Sequence, residues 1–269
     1  MRKETRKQRQ AKARRRAMMF GISTVFAVGA LMIGLWLQRE EDLDDQLCPS
    51  ESGPSREVIV LLDTSDPLTK KHQAEFRRIL REMVSPALSG RHGGLAVRKG
   101  ERVTLYVLNS SSEPVQPIDQ ICNPGNDSGS LTRGGMIIEW RYNQFVKVIE
   151  DQFPEGESDE QPESPILETM TEITARHAPS RRASDDTKPA HLIVISDLLQ
   201  HTEILSHYES YPDPNSLPRE LVTDLSRVEV SLFRLERHKY SIYQTQKHYY
   251  WWSDLVESMD GKIAWQQSL

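Results

Sequence analysis

The stretch VIVLLDTSDPLT, Val58 to Thr69, holds the residues whose types and spacing could do chemistry. Five apolar residues run into Asp63, and Ser65 and Asp66 follow before Pro67. A second apolar run, HLIVIS, ends against Asp197, with His201 four residues further on. Carboxylates and hydroxyls gathered in so few residues could form the mouth of a metal site. They also suit plain strand-to-helix punctuation. Asp66 before Pro67, and Ser164 before Pro165, read as helix N-caps followed by a first-turn proline. Capping leaves Asp63 unexplained, because it closes its strand and needs a partner of its own.

Other chemistry has less support in the sequence. There is no GxSxG nucleophile elbow and no HExxH among the dispersed histidines. A phosphatase-type DxD would need an aspartate at position 65, where Ser65 stands. His72 falls on the apolar face of a helix and reads as a hydrogen-bonded core histidine. The HYYWW run, His248 to Trp252, reads as core on a terminal helix. No catalytic set stands out, so the expectation is that the chain is not an enzyme.

These residues are positioned by alternating strand and helix patterns. EVIVLLD is a continuous apolar run of the doubly covered, parallel type. Leu68, His72, Phe76, Ile79, Leu80 and Met83 then mark one face of a helix that ends before Pro86. RVTLYVLN reads as a second strand. Ile138, Tyr142, Phe145, Ile149 and Phe153 fall at helical spacing, and SPILETMTEITARHA is a further helix. PEGESDEQPES is too polar and acidic to pack and reads as a surface loop. HLIVIS and VEVSLFRL are strands, YYWWSDLVESM a helix, and KIAWQ a last strand. The expected class is therefore α/β, a doubly wound and mainly parallel sheet covered on both faces. In such sheets ligands collect beyond the carboxyl ends of the strands, where Asp63 and Asp197 both fall.

The order of elements, with LLDTSDP closing the first strand, SPILETM opening a middle helix and VISDLL closing a core strand, resembles a von Willebrand factor A-type domain. The resemblance covers roughly residues 55–269. It implies a doubly wound α/β fold and, in many members, a metal-ion-dependent adhesion site built from DxSxS, a loop threonine and a further loop aspartate. Asp63 and Ser65 match the first two positions of DxSxS, Ser164 stands in for the threonine, and Asp197 matches the last aspartate. Pro67 occupies the third position and has no side-chain oxygen. The resemblance thus implies a degenerate Mg²⁺ site at Asp63, Ser65, Ser164 and Asp197. Asp66 and His201 are placed for contact with a protein partner.

The rest of the chain bounds where this domain works. Of its 34 Lys/Arg and 39 Asp/Glu, nine basic residues and Glu4 fall in residues 1–16, leaving 25 basic against 38 acidic beyond them. An acidic body offers no concentrated phosphate-neutralising surface, so no nucleic-acid partner is expected. Residues 17–38 contain no charged side chain. As a helix they would reach about 33 Å, enough for a bilayer's hydrocarbon core. The basic arm before them and the acidic flank after them put the N-terminus inside and the remainder outside the cytoplasmic membrane. A cleaved signal with small residues at Ala27-Val28-Gly29 is the competing reading.

The division expected is a basic arm at 1–16, a transmembrane helix at 17–38, an acidic linker at 39–56 and the α/β domain at 57–269. Two cysteines, Cys48 and Cys122, both fall on the outer side, where one disulfide is permitted. The spacing leaves open whether they meet. The functional expectation is a membrane-anchored, extracytoplasmic (periplasmic) module for protein recognition or assembly of an envelope complex. The alternatives are a membrane-anchored α/β hydrolase and a metal-free scaffold.

Overall fold

The structure is a computed structural model, and it describes residues 43–84, 95–108, 115–125, 133–151, 161–180 and 187–269. The basic arm and the apolar segment 17–38 lie outside the described residues, as does most of the acidic loop after residue 151. Among the described residues no helix is long and apolar enough to cross a membrane. Leu43–Leu269 forms one compact unit.

Six strands make one sheet: β1 Arg56–Asp63, β2 Glu101–Leu108, β3 Asp119–Cys122, β4 Ala190–Ser196, β5 Val228–Arg234 and β6 Lys262–Ser268. Their order is β3-β2-β1-β4-β5-β6, with every pair parallel except β2–β3. The chain moves outward from β1 on one side and returns to β4 on the other. The switch point therefore lies between β1 and β4, and Leu62 pairs there with Ile195. Asp63 and Asp197 leave the sheet side by side at the place where such folds gather ligands.

Strand periodicity explains how both faces are covered. Ile59 and Leu61 face helices α3 (Ile166–His177) and α4 (Gln246–Ser258), against Met170, Ile173, Trp252 and Leu255. Val58, Val60 and Leu62 face the opposite way, toward Phe76, Ile79 and Met83 of α1 (Lys70–Val84) and Phe145 of α2 (Arg133–Asp151). The run VIVLL is apolar at every position because it is buried on both sides. The α/β, mainly parallel class expected from sequence is what the chain forms.

Two boundaries differ from the sequence expectations. Helix α1 begins at Lys70, and its first amides are served by Thr69, whose Oγ1 accepts from the His72 amide at 3.2 Å. Asp66 lies too far upstream to cap it. Ser164 does not cap α3 either: that helix starts after Pro165 with no side-chain cap of its own, and the Leu167 amide donates to Gln200 Oε1 at 2.9 Å. Both residues are thereby released for other contacts.

Cys48 and Cys122 are joined in a disulfide, with their Cα atoms 4.9 Å apart. It fastens the segment entering the domain to edge strand β3, and the Cys122 amide donates to the Gln46 carbonyl beside it. Residues 43–55, read from composition as part of a linker, are thus stitched to the sheet, and Cys48 is buried. β3 itself was not legible: DQIC is four residues long and half polar.

Candidate functional site

Asp63 is the buried centre of the strand-end constellation. Its Oδ1 accepts from the Ser65 amide at 2.9 Å and the Ser65 hydroxyl at 2.6 Å. Its Oδ2 accepts from the hydroxyls of Ser196 at 2.6 Å and Ser164 at 3.3 Å. Four donors from three segments thus converge on one carboxylate, which is how a buried charge is made tolerable. Ser196 was absent from the sequence expectations. The only signal for it was its place as the last residue of β4, beside the end of β1.

Asp197 begins the next loop and is also buried. Its Oδ1 accepts from the Leu199 amide at 2.9 Å, and its Oδ2 lies 3.0 Å from Nε of Arg237. Burial and then the neighbouring Asp63 carboxylate push the Asp197 carboxyl above its ordinary range, while Arg237 opposes them. Arg237 lies three residues beyond β5 on the same carboxyl edge, where no local pattern marked it. The same guanidinium donates to the carbonyls of Pro67 at 2.8 Å and Asp66 at 3.2 Å, and stands 3.9 Å from the Asp66 carboxylate. Gln244 locks the arrangement from behind. Its Oε1 accepts from the Arg237 amide, and its Nε2 donates to the carbonyls of Asp197 and Leu235.

One carbonyl gathers several contacts in the loop after Asp197. Leu198 adopts a positive φ of 61°, unusual for a branched side chain. Its oxygen contacts His207 Nδ1 at 3.2 Å, His248 Nε2 at 2.8 Å and Trp252 Nε1 at 2.9 Å. Three ring nitrogens gathered on one carbonyl fix the backbone where Asp197 turns inward. Burial lowers both histidines, His207 to about 3 and His248 to about 4, so both are neutral. The HYYWW run therefore serves the site as well as the core: His248, Trp251 and Trp252 are buried and only Tyr250 is well exposed.

Above these groups lies a small open cleft, with Ser65, Asp66, Glu163, Ser164, Asp197 and His201 along its wall and Tyr208 and Tyr240 beside them. The site residues named from sequence are brought together, with Asp63 beneath the wall. His201 is fixed by paired backbone bonds with Ser164 at 2.8 and 3.1 Å, and its ring meets Tyr208 edge to face. His72 is a core histidine whose Nε2 contacts the carbonyl of Glu236, the residue before Arg237, at 2.9 Å.

A divalent ion would have to fit this donor set. Both oxygens of Asp63 already accept two hydrogen bonds each. The free oxygen of Asp197 faces a guanidinium, and position 67 contributes only its backbone. Among the described residues no three His, Cys, Asp or Glu side chains converge as metal ligands do. As arranged, the residues do not fit Mg²⁺ coordination, which asks for near-octahedral oxygens at about 2.0–2.1 Å.

No protein-family model matches the chain, and no curated protein sequence matches it. Among solved structures, the human COPII-coat protein Sec24c shows a likeness at 15% identity and a TM-score of 0.32. It covers 80% of this chain and 30% of that one, so the chain spans less than a third of Sec24c.

Proposed function

We propose that this chain is a single-pass protein of the cytoplasmic membrane that displays a von Willebrand factor A-like domain on the outer side, where the carboxyl-edge loops recognise a protein partner. The observation that carries the reading is the build of that edge. Three loops are cross-tied around Asp63, Asp197 and Arg237, and exposed apolar groups stand on the same edge. Ile204, after β4, is 52% exposed, and Ile242, after β5, is 72% exposed. Tyr208 meets Tyr240 and Tyr243 between them, with ring centroids 5.6 and 4.9 Å apart. Rigid aromatic and aliphatic groups around a polar cleft are what a protein-binding patch needs. The Cys48–Cys122 bridge supports an oxidising compartment for the domain.

The double variant Ile204→Asp/Ile242→Asp tests this. Both side chains point to solvent, so the melting temperature should stay near that of the wild type while capture of the partner from envelope extracts is lost. Undiminished capture would remove the carboxyl edge from the reading. Adding chelator or Mg²⁺ to the same capture assay tests whether recognition depends on a divalent ion.

A further inference from the structure

The cation at the strand ends belongs to the chain itself. Arg237 reaches from the loop after β5 to the loops after β1 and β4, and its side chain is only 10% exposed. Its Nε faces the Asp197 carboxylate at 3.0 Å, Nη1 donates to the Pro67 carbonyl at 2.8 Å, and Nη2 donates to the Asp66 carbonyl at 3.2 Å. We propose that Arg237 supplies, from within the chain, the positive charge that a divalent ion supplies in an adhesion site of this type, so that the strand-end face is set without metal.

The planar guanidinium suits the task, since it can face a carboxylate and bond two carbonyls at once. A bound Mg²⁺ would have to displace it from Asp197, leaving a largely buried guanidinium beside a second cation. Pro67 fits the same account. A divalent ion would lose a side-chain ligand at that position, whereas Arg237 needs only the backbone carbonyl that proline retains. This inference concerns the charge of the site and is read without any partner, so it stands or falls separately from the recognition function.

The test uses the full-length chain in detergent, melted in chelator and in millimolar Mg²⁺, with Mn²⁺ binding followed by electron paramagnetic resonance. The wild type should melt within about 1 °C in the two conditions and leave Mn²⁺ free. Arg237→Ala should melt about 5–10 °C lower in chelator and recover part of that loss in Mg²⁺. Arg237→Lys keeps the charge without the fork, and should fall less and show no Mg²⁺ response. If Arg237→Ala does not fold, the wild-type Mn²⁺ measurement and Arg237→Lys still decide. Mn²⁺ bound by the wild type, a Mg²⁺-dependent rise in its melting temperature, or a Mg²⁺ response in Arg237→Lys would overturn the proposal. An Arg237→Ala protein that melts like the wild type in both conditions would do the same.

Discussion

Asp63 takes its two shortest contacts, both 2.6 Å, from the hydroxyls of Ser65 and Ser196, while Ser164 stands off at 3.3 Å. Distances this unequal make the serines unequal in energy. Ser196→Ala leaves Oδ2 with the long contact alone, in a place water does not reach, and should cost about 1–3 kcal/mol in urea unfolding. Ser164→Ala should cost clearly less, and equal losses would contradict the geometry. Capping gives a second contrast. Thr69→Ala removes the hydroxyl that serves α1 and should cost about 1 kcal/mol, whereas Asp66→Ala disturbs Arg237 and Tyr240 and leaves helix content unchanged. The buried histidines set a pH dependence. His191, His207 and His248 are lowered to about 4, 3 and 4 by burial, so the folded state refuses protons that the unfolded chain takes up below about pH 6.5. Stability is therefore full above that pH and falls as pH drops, by ~2 kcal/mol per histidine at about pH 5. Asp197, its carboxyl raised by burial and by Asp63, works in the opposite direction over the same range. Circular-dichroism melts between pH 7 and 5 should therefore show a decline that steepens in Asp197→Asn, and a flat profile in that variant would exclude three neutral buried histidines.

At the scale of elements, the runs that became β1, β4 and β5 were legible because burial on both faces makes them mainly apolar, the buried polar pair His191 and Ser231 contacting each other at 2.9 Å. α1 was legible from its apolar stripe, and His72, Phe76, Ile79, Leu80 and Met83 are buried as spaced. The carboxyl-edge rule found Asp63 and Asp197 from strand ends alone. What escaped was tertiary. Ser196 matters because β4 lies beside β1, and Arg237 matters because its side chain crosses two strands to reach Asp66 and Asp197. Neither adjacency is written in local pattern. Asp66 and Ser164 followed local cap syntax, but Thr69 and Gln200 hold the helix amides in their place. The entering segment was read as linker because its composition is acidic and turn-rich, although one covalent bond fixes it to β3 across 74 residues. Opening a loop of that size should cost about 2–4 kcal/mol. Cys48→Ser should lower the denaturant midpoint accordingly, and thiol labelling of unreduced protein should find no free cysteine. Two reactive thiols would refute the bridge.

The whole molecule combines an acidic sequence beyond residue 16, a charge-free stretch at 17–38 and a basic start. In the proposed topology that charge order puts the domain outside the cytoplasmic membrane. A reporter active only in an oxidising compartment, fused after Leu269, should give signal, and a cytoplasm-only reporter should not. The reverse pattern would overturn both the proposed location and the compartment that the bridge requires. The central claim is that this displayed domain meets its partner at the carboxyl edge of the sheet. Photo-crosslinking in living cells tests it most directly, with the reactive residue placed at Ile242 beside the cleft or at exposed Ser226, just before β5 at the opposite edge. The account predicts a discrete protein adduct from position 242 and none from position 226. Adducts from 226 alone, or equally from both, would contradict it.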